Sequence, residues 1–216
     1  MKSSDAFAPH GDIARTLLPH AIDAADDASH DLSHVLRVWK NVQDISAREG
    51  GAGDTLVAAT LLHDCVAVPK DSPSRSVASR LSADHALRLL KRLGWPDDKA
   101  ASVGHAIEAH SFSAGVTPGT MEAKILQDAD RLDAIGCIGI ARCFYVSGRL
   151  GRALYDPADP LGSERDLDDA RFAIDHFQTK LLKLSQSFQT QTGRALARER
   201  HDVVQQFFDR FVSEVS

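Results

Sequence analysis

Long apolar runs are missing from this 216-residue chain. No stretch approaches the roughly 20 apolar residues of a membrane span, and the N-terminal MKSSDAFAPHGD has no basic segment followed by an apolar one. A membrane protein is thereby disfavoured and a cytoplasmic one expected. Excess positive charge is missing too: the formal net charge is -5, so nothing gathers the chain onto nucleic-acid polymers or anionic membranes, where binding rests on clustered Lys and Arg. Cysteines are few. Cys65, Cys137 and Cys143 form no CxxC pair and leave one over, which speaks against a zinc ribbon or a disulfide framework and for reduced, buried thiols. Aromatic residues make up only 6%, so few side chains are on hand to stack a base; Phe112, Phe144, Tyr145 and Tyr155 are the candidates.

What is present is a core-forming composition, 43% hydrophobic and 25% charged, with enough chain for one well-buried core. One domain over residues 1–216 is expected. Histidine is the outlier, with ten copies, several of which need a partner or a task.

The apolar residues recur at helical rather than alternating spacing almost throughout, which predicts an all-α fold. A first helix spans 31–49, with Leu32, Val35, Leu36, Trp39, Val42 and Ile45 on one face and Gly50-Gly51 as its stop. A second, over 54–66, is apolar nearly all round and so belongs at the centre of the core. PKDSPSRS at 69–76 reads as a loop into a helix that ends at Gly94. Pro96 opens the next helix, which reaches His110, and Thr120 caps the one after, expected to run unbroken over 121–145. Residues 148–166 carry many breakers and read as a long loop, either a substrate lid or an ordinary connection. Two last helices are expected at 167–188 and 194–212.

His63-Asp64 sets an imidazole and a carboxylate side by side at the end of the most apolar helix. A carboxylate there must be paired, hydrogen-bonded or bound to a cation, and mixed nitrogen and oxygen donors suit a divalent metal; the plainer reading is a helix end where Asp64 meets an Arg. Two other helices bear on the choice. His34 lies at the edge of an apolar face, with Arg37 and Asn41 following at i+3 and i+7 in one polar stripe. Asp130 and Asp133 border an inner stripe of Leu126, Ala129 and Leu132, where a structural helix would prefer apolar residues, so they need a counter-charge.

HDLSHVLRVWKN, LLHDCV and ILQDADRLDAIGCIGIAR resemble the three motifs of the HD-domain superfamily of metal-dependent phosphohydrolases, over roughly residues 20–150. The longer runs HDCVAVPKDSPSRSVASRL and EAHSFSAG are similar to a bacterial group of small, nucleotide-pyrophosphatase-like HD proteins. The resemblance implies a helical HD bundle with the C-terminal helices, about 167–212, packed on it. It implies His34, His63, Asp64 and Asp130 as ligands of a divalent metal: Mn²⁺, Mg²⁺, Co²⁺, Ni²⁺, Fe²⁺ or Zn²⁺. Many two-metal members place an acid shortly after the doublet, whereas Cys65, Val66, Ala67 and Val68 follow here. One metal is therefore expected, and cyclic-dinucleotide phosphodiesterases and di-iron oxygenases are poorer guides.

The expected activity is hydrolysis of a phosphoester or phosphoanhydride in a small phosphorylated metabolite, with a nucleotide as the best guess. Arg37, Lys70, Arg75 and Arg80 are candidates to cradle phosphate charge, each also readable as a solvated surface residue; Lys70 is preferred because it follows the ligand helix closely in a Pro-bounded loop. Asp133 is a candidate general base or hydrogen-bond partner of a ligating histidine, against an ion pair with Arg37 or Arg131. His110 is a candidate to hold a leaving-group oxygen or a second metal, against a helix cap. The rivals are a non-catalytic nucleotide or metal sensor and an iron-dependent oxygenase on the same scaffold. The oligomeric state, including a homodimer, stays open.

Overall fold

A computed structural model describes residues 3–21, 32–68, 77–111 and 114–215. Lys70 and Arg75, Phe112, and Asp31 at the expected start of the first long helix lie outside the described residues. The chain forms two compact units, Met1–Asp130 and Arg131–Ser216. The regular elements of both are helices; among the described residues the strand-like pairing is an isolated bridge between Ala153 and Phe172.

The first unit holds α1 (Gly11–Leu17), α2 (Leu32–Glu49), α3 (Gly53–Leu62), α4 (Ala78–Arg92), α5 (Asp97–His110) and most of α6 (Met121–Asp133). Its centre is α3. Every residue from Thr55 to Leu62 is buried, and α1, α2, α4 and α5 all pack on it, as its lack of a polar face requires. Burial of a side chain such as Leu56, Leu61 or Leu62 stabilises by about 1.5–3 kcal/mol, which offsets the cost of carrying His63 into the same interior. α2 turns Val35, Val38, Trp39, Val42 and Ile45 inward and stops at Gly50, whose φ of 83° is left-handed. α5 brings small residues to the core, and a Cβ at Gly104 would stand 2.9 Å from Leu87 Cγ of α4, so the close approach of those helices depends on glycine. Thr120 caps α6, its Oγ1 accepting from the Ala123 N–H at 3.2 Å.

The second unit contains α7 (Gly136–Arg149), the short α8 (Leu182–Leu184) and α9 (Gln191–Val215). Its apolar centre is a set of rings from Phe144, Phe177, Phe207, Phe208 and Phe211, with Tyr155 edge-on to Phe211. Three of the base-stacking candidates thus lie in this unit: Phe144 and Tyr155 in the ring cluster, and Tyr145 exposed, with the Arg149 guanidinium 5.8 Å from its ring centroid.

Two sequence-based expectations are corrected. The helix expected over 121–145 breaks between α6 and α7, because Gly136 adopts φ of 73° and the Ala134 and Ile135 N–H groups turn back to Arg131 and Leu132. The helix expected over 167–188 does not form as such. The fully buried Asp175 carboxylate accepts from Arg165 at 2.6 and 3.0 Å and from the Asp168 N–H at 2.7 Å, and Asp168 Oδ1 accepts from the Ala170 N–H. Side chains that bind nearby backbone in this way compete with a helix. Only Phe177–Leu181, as a π-turn, and Leu182–Leu184 are regular there, followed by the 3-10 turn Ser185–Ser187.

Candidate metal centre

Four elements of the first unit deliver polar side chains to one place in its interior: His34 from α2, His63 and Asp64 at the end of α3, His110 at the end of α5 and Asp130 near the end of α6. The three histidines are 1%, 0% and 4% exposed, whereas the two carboxylates keep about a quarter of their surface open, Asp64 at 28% and Asp130 at 27%. The cluster therefore has a closed nitrogen side and a more open oxygen side.

His63 and His110 are set by the same local device. Each stands at a helix C-terminus, where carbonyls lack intrahelical partners, and each Nδ1–H donates to the carbonyl three residues earlier: His63 to Thr60 at 2.8 Å, His110 to Ile107 at 2.6 Å. That bond fixes the neutral tautomer and leaves the Nε2 lone pair facing the cluster. Thr60 is held in turn by its own hydroxyl on the Leu56 carbonyl at 2.8 Å.

His63 Nε2 lies 3.1 Å from His34 Nε2, and Asp130 Oδ1 lies 3.6 Å from the first ring's partner His34 and 3.9 Å from His63. Asp64 Oδ2 is 3.8 Å from His63 Nε2, while Asp64 Oδ1 is 3.7 Å from His110 Nε2. Ligand atoms bound at ~2.1 Å around one ion stand about 3 to 4.2 Å apart, and these separations fall in that range. A single proton satisfies one nitrogen pair. A divalent cation held by His63 and two of its neighbours satisfies three donors at once, so the donor chemistry fits one. Two groups of donors meet the distance requirement, His34 with His63 and Asp130, and His63 with Asp64 and His110; His63 belongs to both.

The electrostatics agree. Burial pushes the His63 pKa down to about 4, with the rings of His110 and His34 acting in the same sense against Asp64, so this imidazole is neutral and ready as a ligand at neutral pH. Burial opposes charge on His110, but the Asp64 carboxylate beside it prevails and the pKa is raised. Burial alone would raise the Asp130 carboxyl; His110, His34 and His63 instead hold it below the usual carboxylate range.

Other residues singled out in the sequence have partners outside the donor cluster. Arg37 Nη1 donates to Ser33 at 2.8 Å on the outer side of α2. Arg80 Nε meets Glu108 at 3.0 Å in an exposed pair. Asp133, in the second unit, is 1% exposed and accepts from Arg142 Nη1 at 2.9 Å. Removing that guanidinium takes a charged donor from a buried carboxylate, so Arg142→Ala is expected to lower stability by about 1–3 kcal/mol, read as a lowered urea midpoint at unchanged m-value.

The HD domain family model matches residues 31–135, the stretch that holds the whole donor cluster. The uncharacterized protein YpgQ of Bacillus subtilis is 33% identical over 194 residues, 88% of this chain and 86% of that protein. The chain belongs to the HD-domain family. Among solved structures, this HD protein is similar to B. subtilis YpgQ in complex with ADP, with a TM-score of 0.72 at 30% identity, covering 100% of this chain and 97% of that one. It is similar also to an HD-superfamily hydrolase of Bacillus thuringiensis, with a TM-score of 0.68 at 33% identity over 94% and 96% of the two chains. The HD protein therefore has the fold of HD-superfamily hydrolases, and no helix among its described residues is long and apolar enough to cross a membrane.

Proposed function

We propose that this HD protein is a divalent-metal-dependent phosphohydrolase acting on a small phosphorylated metabolite, a nucleotide, at a phosphoester or phosphoanhydride bond. The observation that carries this reading is the buried approach of two imidazole Nε2 atoms to 3.1 Å with carboxylates beside them. His34, His63, Asp64 and Asp130 would hold one ion. When bound, such an ion acidifies a water and neutralises phosphoryl charge.

The chain's own groups divide the remaining work. Thr60 orients His63 through its carbonyl, and the open flank at Asp64 and Asp130 admits substrate. His110, whose Nε2 stands 3.7 Å from Asp64 Oδ1, would hold the leaving-group oxygen or a second metal. Arg37, Lys70 and Arg80 would cradle phosphate charge; an exposed pair such as Arg80–Glu108 is worth only about 0–1 kcal/mol, so a substrate phosphate competes for that guanidinium at small cost. Asp133 would serve as a base or histidine partner, or as one half of an ion pair, the alternative that its bond to Arg142 supports. The reading treats 1–216 as one domain, since the HD match runs past the boundary at Asp130. The ADP bound to YpgQ supports a nucleotide as substrate class.

A panel of nucleotides and sugar phosphates, with Mn²⁺, Mg²⁺, Co²⁺ or Ni²⁺, tests the proposal through release of phosphate and pyrophosphate. Metal-dependent turnover of a nucleotide is expected. Absence of phosphate and pyrophosphate release from every compound, by protein that retains metal, would contradict it and turn attention to oxygen uptake.

A further inference from the structure

Two buried side-chain amides border the donor cluster, and the chemistry above gives neither a role. Asn41, on α2 two turns after His34, is 3% exposed, and its Nδ2–H donates to the Ala129 carbonyl at 2.9 Å. Gln127, on α6, is 2% exposed, and its Nε2–H donates to the Ala109 carbonyl at 2.6 Å. The acceptors belong to the residues immediately before Asp130 and His110. One amide thus ties the His34 helix to the peptide unit that carries Asp130, and the other ties the Asp130 helix to the peptide unit that carries His110.

Backbone geometry makes both attachments consequential. Ala109 sits in the last turn of α5, where carbonyls have no intrahelical donor, so Gln127 supplies the bond that fixes this helix end. Gln127 and Asp130 are three residues apart and share a face of α6. A shift of α6 along or about its axis would break the Gln127 and Asn41 bonds together and carry Asp130 away from His34 and His63.

Stability alone does not explain the choice of residue. Met or Leu of similar size would fill either position without needing a partner, whereas Gln127 Oε1 is buried with no hydrogen-bond partner among the described residues, an arrangement that loses stability. A half-satisfied buried amide is retained where its satisfied half has a task.

We propose that Asn41 and Gln127 are positioning residues of the metal centre: they fix α2 against α6 and α6 against α5 at the peptide units that carry Asp130 and His110. The inference rests on the reading of that cluster as a metal site. A site of this kind needs its ligands held within about 0.5 Å of their bound geometry, and partners that orient ligands are typically worth 10- to 100-fold in metal affinity.

The test compares Asn41→Leu and Gln127→Met, which keep volume and remove the donor, by Mn²⁺ binding affinity and by the visible absorption of the Co²⁺ form, which reports ligand geometry. Gln178→Met is the control: it removes a like bond, from Gln178 Nε2 to the Leu161 carbonyl at 2.9 Å, in the second unit. Asn41→Leu and Gln127→Met should each weaken Mn²⁺ binding about 10- to 100-fold and shift the Co²⁺ bands, while Gln178→Met changes neither. Gln127→Ala takes the place of Gln127→Met if the latter does not fold. Folded variants at both positions with unchanged affinity and spectrum would overturn the inference and leave the metal site standing. Failure of the wild-type protein to take up Mn²⁺ or Co²⁺ would remove the functional reading and this inference with it.

Discussion

Substituting Ala for His63 or for Asp130 is expected to abolish metal retention and phosphate release together, while the far-UV circular dichroism stays helical. His63 is shared by both donor groups, so its loss dismantles each of them. Asp130 is the carboxylate that stands within 4 Å of both His34 and His63, and without it the His34–His63 pair loses the anion that faces both rings. The drop in activity should exceed the 10- to 100-fold typical of residues that only orient a ligand. Asp64→Ala should behave in the same way. The fold survives these changes because α3 is anchored by the buried run Thr55–Leu62 rather than by its polar end. Full activity in any one of the three variants would remove that residue from the metal site.

Removing the metal should match those substitutions. Chelation is expected to stop hydrolysis, and added Mn²⁺ to restore it. Binding to the folded chain alone stabilises it by RT ln(1 + [L]/Kd), about 2.7 kcal/mol at a hundredfold excess over Kd. At 2–4 °C per kcal/mol for a chain of this size, the melting temperature should rise by roughly 5–10 °C. His63→Ala should show no such rise. A wild-type melting curve indifferent to Mn²⁺ over that range would mean that the cluster does not bind the ion.

Much of the donor cluster is legible in the sequence because its members break a local rule. His63 and Asp64 end a helix that is otherwise apolar, and Asp130 occupies the border of an inner stripe where Leu or Ala would be ordinary. His34 is subtler, since an edge position suits a surface histidine equally well; only the spatial meeting with His63 distinguishes it. His110 gave a weaker signal. A histidine at a helix end reads as a cap, and its Nδ1 does make a capping bond to Ile107, so the ring's second nitrogen, facing Asp64, is visible only in three dimensions. Gln127 gave none, because a single Gln within a helical stretch reads as solvent-facing until α5 is seen to cover it.

The helix boundaries that escaped the sequence share a cause. Gly136 fits the inner stripe of a continuous helix as well as it fits a left-handed break, and the break is settled by contacts far along the chain: Arg200 packs its stem beside Gly136 and donates to the Leu132 carbonyl. The segment before α8 carries apolar residues at helical spacing, yet Asp168 and Asp175 capture Arg165 and nearby N–H groups, and those bonds prevail over spacing. Periodicity reports which side of a segment is buried; it does not report which polar groups will compete for the backbone.

The most direct measurement is a crystal of the protein soaked in Mn²⁺, with anomalous scattering recorded at the Mn edge. One strong peak is expected, within bonding distance of the Nε2 atoms of His34 and His63 and of carboxylate oxygens from Asp64 and Asp130. A soaked crystal with no peak among these four residues, or with its Mn²⁺ held elsewhere, would contradict it.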